Sequence, residues 1–288
     1  MACVGHHSGQ RYFDHRKPDK YFDAPAVNTF GTNLNVADGV HNSDRARQRG
    51  VFLILIIKID PVSMNFLSAQ LRASPAYARV APYLAILLIT CIQDSLHGPL
   101  RYWLYLLKMI VGILCLWQVR SLAPEVRWAF SGEAVGVGVV ICALWVGLDS
   151  YYPKLQLFGK AGRPWNPFEQ FGEHSILGWF FVGVRTFGSA LVVPPIEESF
   201  YRSFLYRYLV RGSFTTVPLS HLHWPSLFLT AFIFGFSHYQ WLAGIICGLA
   251  YQWLVIRKNR LGDAVLAHAI TNFLLGVWIV WKGAWNFW

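Results

Sequence analysis

From residue 64 onward the chain is a succession of apolar runs separated by short polar breaks. The runs lie at residues 82–96, 102–119, 133–148, 175–193, 225–238, 241–256 and 264–281. A helix that crosses a bilayer needs about 20 mostly apolar residues, and these runs approach that length. Residues 71–80 read as an amphipathic stretch at the interface. Pro194-Pro195 breaks the fourth run, and a further helix begins at once over residues 196–211. The longest polar stretch, residues 149–173, holds three Pro and several aromatics and reads as an interfacial loop. Gly132, Gly136 and Gly138, and the pair Gly244 and Gly248, are spaced to let helices approach closely. The pattern predicts an all-α fold, a polytopic membrane bundle of seven to eight transmembrane helices.

Residues 1–63 have a different character. They hold Gly, Asn, Asp, Arg and four His, without an apolar period. The apolar run at residues 51–57 is far too short to span, and it sits too far along the chain for a signal peptide. We therefore expect two regions. Residues 1–63 are a polar N-terminal tail, either disordered or joined to the gene through the choice of start codon, with Met64 as the alternative start. Residues 64–288 are the membrane domain. His6, His7, His15 and His41 are spaced too irregularly to read as a metal tract.

Composition supports the membrane reading. Of 288 residues 55% are hydrophobic and only 14% charged, against about 25% charged in soluble domains. Residues 64–288 carry 17 basic and 9 acidic groups. So low a charge density excludes an ordinary soluble domain, and the high apolar content excludes a disordered chain. Trp and Tyr, 13 of each, favour the water–lipid interface. The net charge of +10 does not indicate nucleic acid. Its basic residues sit in short clusters at the ends of apolar runs, as membrane topology and anionic headgroups require. The expected partners are thus the lipid bilayer and a protein or peptide substrate. Cys91, Cys115, Cys142 and Cys247 lie inside apolar runs with no Cys-x-x-Cys pair, and read as buried free thiols.

A charged side chain in a membrane helix costs about 2.5–3.5 kcal/mol on insertion scales, so each one needs a reason. Glu197, Glu198 and Arg202 open the helix after Pro194-Pro195. Glu198 and Arg202 are four apart, with the acid first, the favoured order for a helix pair. Glu197 sits about 100° further round and is free to address something else. His238 ends one apolar run, and His268 and Asn272 lie one turn apart in the last. Taken singly, each has a bland explanation: a helix pair, an interfacial His, interhelical polar glue. Together, these polar groups on three apolar helices need one another's company or a shared polar cavity.

EESFYR (residues 197–202), FGFSH (234–238) and HAITN (268–272) contain Glu-Glu-x-x-x-Arg, Phe-x-x-x-His and His-x-x-x-Asn in that order. In this the chain resembles the CPBP family of CAAX proteases and bacteriocin-processing enzymes, which includes the Ras-converting endopeptidases. The resemblance covers about residues 175–281. It implies an eight-helix intramembrane endopeptidase that processes CAAX-type targets, in a multi-pass protein of the bacterial inner (plasma) membrane.

The residues allow a specific chemistry. No Ser-His-Asp pattern and no His-Glu-x-x-His helix is present. A carboxylate–imidazole pair holding one water suffices for hydrolysis. Glu197 is the expected general base, and His238 the second ligand of that water. Arg202 fixes Glu198, and His268 and Asn272 donate to the oxyanion. The resemblance assigns the same roles. No cofactor is expected in this version. The alternative is zinc held by Glu197, His238 and His268. Two further residues stand out. Lys108 either snorkels or lines a water-filled cavity, and Arg185 either lies at the interface or pairs with an acid of the catalytic helix. Two other functions remain open at this level. One is a non-proteolytic protein of the same fold, such as a bacteriocin self-immunity factor or an export-system partner. The other is a small ion- or proton-coupled transporter.

Overall fold

A computed structural model describes residues 74–154 and 164–288. The expectations for residues 1–63, for Met64 as a start, for residues 71–73 and for the middle of the 149–173 loop lie outside the described residues.

Every regular element among the described residues is helical. In chain order they are α1 (Pro75–Asp94), α2 (Leu100–Val119), α3 (Gly132–Gly147), α4 (Pro167–Phe171), α5 (Ile176–Leu191) and α6 (Val193–Glu198). A π-helical segment, Ser199–Leu205, comes next, followed by α7 (Tyr206–Val210), α8 (Trp224–Phe236), α9 (Trp241–Lys258) and α10 (Gly262–Lys282). Among the described residues, four helices are long and apolar enough to cross a membrane: Pro75–Asp94, Leu100–Val119, the near-continuous Ile176–Val210 and Gly262–Lys282. This is fewer than the seven to eight expected from the pattern. Gly132–Gly147 and Trp224–Phe236 are apolar but shorter.

Two boundaries differ from the sequence reading, both at proline. The amphipathic stretch and the first span form one helix, α1, which runs through Pro82. Pro75 starts it, where a missing N–H costs nothing. Pro194-Pro195 does not end the fourth helix either. It interrupts it for a single residue, Val192, before α6 continues the rod. Proline deletes an i→i−4 bond but keeps a helical φ, so a long apolar helix can run through it.

The bundle is apolar outside and polar within. Leu84, Leu88, Ile113, Leu114, Trp117, Trp179, Phe187 and Phe232 are exposed, whereas Glu198, Arg202, Ser203, Gln252, Asp263 and His268 are buried. Lipid rewards this inversion, because lipid tails cannot satisfy a polar group. Cys91 on α1 is exposed rather than buried; Cys142 and Cys247 are buried, and all four described thiols are free.

Small residues bring the last helix against α3. A Cβ on Gly138 would stand 2.7 Å from the Ala267 carbonyl oxygen, whereas one on Gly132 or Gly136 would meet nothing within 4 Å. Only one of the three glycines read as a packing stripe therefore acts as one. At this contact Tyr251 donates to Thr271 Oγ1 at 2.6 Å. The Thr271 hydroxyl lies 3.0 Å from the carbonyls of both Gly138 and Ala267. This lattice fixes the height and rotation of α10, and hence of His268 and Asn272.

A second polar cluster ties down the loop that precedes α3. Glu125, in the loop between α2 and α3, lies 2.6 Å from Arg79 and 3.3 Å from Arg207. It also accepts a hydrogen bond from Ser203. Burial pushes its carboxyl up, but the Ser203 hydroxyl and the Arg79 guanidinium outweigh this and hold it below its ordinary value of 4.5. The cluster anchors the π-helical segment to α1 and the loop.

Candidate active site

The two adjacent acids have separate fates. Glu198 is fully buried. Its Oε2 lies 3.1 Å from Arg202 Nε, and its Oε1 accepts from His268 Nδ1 at 2.9 Å. Arg202 is also fully buried, and its guanidinium sits 4.6 Å from the centre of the Phe234 ring. Glu198 thus joins three elements: its own helix, the π-helical segment and α10. Residues Tyr201, Arg202 and Ser203 are all buried in succession, so this turn is enclosed on more than one side. π-helical turns are rare and recur at functional sites.

Glu197 turns the other way, into a cavity of about 200 Å³. His238, His268 and Asn272 line the same cavity. Glu197 Oε2 is buried and makes no hydrogen bond to a described residue. It lies 4.0 Å from His268 Nε2, beyond hydrogen-bond reach but close enough for one small ligand to touch both.

The ring orientations follow from their partners. His238 Nδ1 lies 2.7 Å from the Phe234 carbonyl oxygen. A carbonyl only accepts, so Nδ1 carries the proton, and Nε2 of the neutral ring has a free lone pair. The same logic applies to His268, whose Nδ1 faces the Glu198 carboxylate. Asn272 donates through Nδ2 to the Ser189 carbonyl at 2.8 Å, leaving its second N–H unused by that bond. Sequence reasoning aimed His268 and Asn272 at a single point. In the structure both line the cavity, but His268 is first held by Glu198, and Asn272 by α5.

Sequence reasoning passed over a chain of hydroxyls behind His238. Tyr83 and Tyr201 share a hydrogen bond of 2.6 Å, Tyr201 donates to Ser237 at 3.3 Å, and Ser237 donates to the Phe234 carbonyl at 2.7 Å. This chain fixes the carbonyl that orients His238. Tyr201 lies four residues after Glu197 in the same motif, and that spacing was the available signal. Tyr83 could not be found that way, because it lies on α1, far along the chain.

Lys108 and Arg185 also resolve differently from expectation. Lys108 is buried and donates to Thr90 at 3.2 Å. Arg185 has no carboxylate partner among the described residues: it lines the cavity, with its guanidinium among the rings of Trp165, Tyr105 and Trp288. The metal alternative fares no better. Among the described residues no three His, Cys, Asp or Glu side chains are grouped to hold an ion. Glu197, His238 and His268 do not form such a set.

Residues 175–274 match the family model described as type II CAAX prenyl endopeptidase Rce1-like. The matched span contains all seven specified residues of the three motifs. No curated protein and no solved structure matches the chain.

Proposed function

We propose, from the match of residues 175–274 to the Rce1-like family model, that the protein is an intramembrane endopeptidase. It hydrolyses a peptide bond of a membrane-associated protein or peptide, in CAAX-type processing. The observation that carries this reading is the division of labour between the two acids. Glu198 is consumed by Arg202 and His268, whereas Glu197 presents a buried, unbonded carboxylate oxygen to a cavity shared with two imidazoles.

In the proposed reaction a water sits between the Glu197 carboxylate and the Nε2 lone pair of His238. Glu197 takes one proton as the water oxygen attacks the scissile carbonyl carbon. The spare N–H of Asn272 donates to the oxyanion that forms. When the tetrahedral intermediate collapses the C–N bond breaks, and Glu197 returns its proton to the leaving amine. Glu198 touches no reacting atom; it holds His268 in place and balances Arg202. We also propose that α3, α8 and α9 lie in the bilayer beside the four long spans, making seven membrane helices. Their apolar outer faces, including Val140, Phe228, Phe232 and Trp253, support this.

Comparing the C-terminal peptides of membrane proteins in cells that carry wild-type protein or Glu197→Gln tests the proposal. Gln keeps the shape and removes the base, so one or more precursors should accumulate unprocessed at normal levels of the enzyme. Identical C-terminal peptides in both strains would refute it.

A further inference from the structure

Arg185 is a charged residue that the hydrolytic scheme does not use. It lies on α5, and Arg185, Ser189, Val193 and Glu197 all line the cavity at four-residue intervals. The cavity therefore runs lengthwise along one face of this rod, with Glu197 towards one end and Arg185 towards the other. At 1.5 Å per residue the two Cα atoms stand roughly 18 Å apart.

The surroundings of Arg185 are aromatic. Its Cζ lies 4.6 Å from the centre of the Trp165 ring, 5.0 Å from that of Tyr105 and 5.5 Å from that of Trp288. Such rings stabilise a cation but accept none of its in-plane hydrogen bonds. Among the described residues no carboxylate lies within 4.0 Å of the guanidinium, and no described acceptor takes a bond from it. Lys108 Nζ lies 4.5 Å from the centre of the same Tyr105 ring, but it does not line the cavity. An anion in the cavity would meet the unbonded in-plane donors of Arg185 directly.

We infer that Arg185 is a receptor for a peptide carboxylate of the substrate, three to five residues from the bond that Glu197 attacks. The inference rests on the endopeptidase reading. An extended peptide rises about 3.3–3.6 Å per residue, so three to five residues bridge most of the distance between the two groups. A guanidinium forms paired hydrogen bonds with a carboxylate. The carboxylate is either the free C-terminus of the substrate or an acidic side chain. Arg185 is a binding residue in this account, and its effect belongs in affinity and KM rather than in the chemical step.

The test uses the full-length protein in lipid nanodiscs with Glu197→Gln to prevent turnover. The probe is a fluorescent, S-farnesylated decapeptide ending Cys-Val-Leu-Ser, made as the free acid, as the C-terminal amide, and as an amide ending in Asp. Fluorescence anisotropy should show the free acid bound about tenfold or more tighter than the plain amide, as a charged hydrogen bond of this kind implies. Adding Arg185→Gln should erase that gap, and Arg185→Lys, which keeps a point charge, should retain part of it. An Asp amide that binds like the free acid identifies a side-chain carboxylate as sufficient; one that binds like the plain amide identifies the terminal carboxylate. Equal binding of acid and amide, a gap that survives Arg185→Gln, or no binding of any probe would overturn the assignment. Cleavage of the same peptides by protein with Glu197 intact separates the two ideas. Discrimination without cleavage sinks the protease and leaves the receptor, and cleavage without discrimination sinks the receptor alone.

Discussion

Replacing Glu198 by Gln should damage the fold and the site together, and the structure sets the scale. Glu198 and Arg202 are both fully buried, 3.1 Å apart. Nε, Nη1 and Nη2 of Arg202 find no hydrogen-bond acceptor among the described residues. The Glu198 charge is the ion-pair partner that Arg202 has there, so Gln leaves a buried guanidinium uncompensated. Breaking one side of a buried pair costs about 3–5 kcal/mol. At about 2–4 °C per kcal/mol for a domain of this size, melting in detergent should fall by about 6–20 °C. The hydrogen bond to His268 changes as well, because an amide can present its NH2 where the carboxylate accepted, and activity should fall beyond what the remaining folded fraction explains. The double variant Glu198→Gln/Arg202→Met removes both charges. It should recover much of the lost melting temperature and none of the activity. A single variant that melts within about 2 °C of wild type would refute the argument, because the pair would then carry no energy.

Three further outcomes follow from particular contacts. Asn272→Ala removes a proposed oxyanion donor and the bond to Ser189; kcat should drop by about 10²–10³ while stability falls by only about 1 kcal/mol, read from turnover and melting of the same sample. Gly138→Ala would push a Cβ to 2.7 Å from the Ala267 carbonyl, next to His268; it should cost about 1–3 kcal/mol and lower activity, whereas Gly136→Ala, with open space, should do neither. Glu125 titrates below its ordinary value of 4.5 in the folded protein, so its contribution is complete above that value and is lost as pH falls through the lower, folded one. Melting temperatures measured from pH 6 to pH 3 should therefore decline less steeply in Glu125→Gln than in wild type, and parallel curves would remove this role.

The sequence by itself determined the helical membrane class, through apolar runs that only lipid or a core can accept, and the six polar residues worth explaining, through their cost inside those runs. It also determined the Glu198–Arg202 pair, since four-residue spacing on a helix is local geometry. Tertiary structure decided everything that depends on which helix faces which. His268 reaches Glu198 across seventy positions, and Tyr83 braces His238 through Tyr201 and Ser237. Gly138 is a packing residue while Gly136 is not, although both carry the same spacing signal. Arg185, read from its own helix, wanted an acid or the interface; Trp165, Trp288 and Tyr105 come from other parts of the chain to surround it. Periodicity tells which face of a helix is apolar, but the partner of a polar group is fixed by rotation and height of helices distant in sequence. No local pattern encodes those quantities; packing against the neighbours sets them.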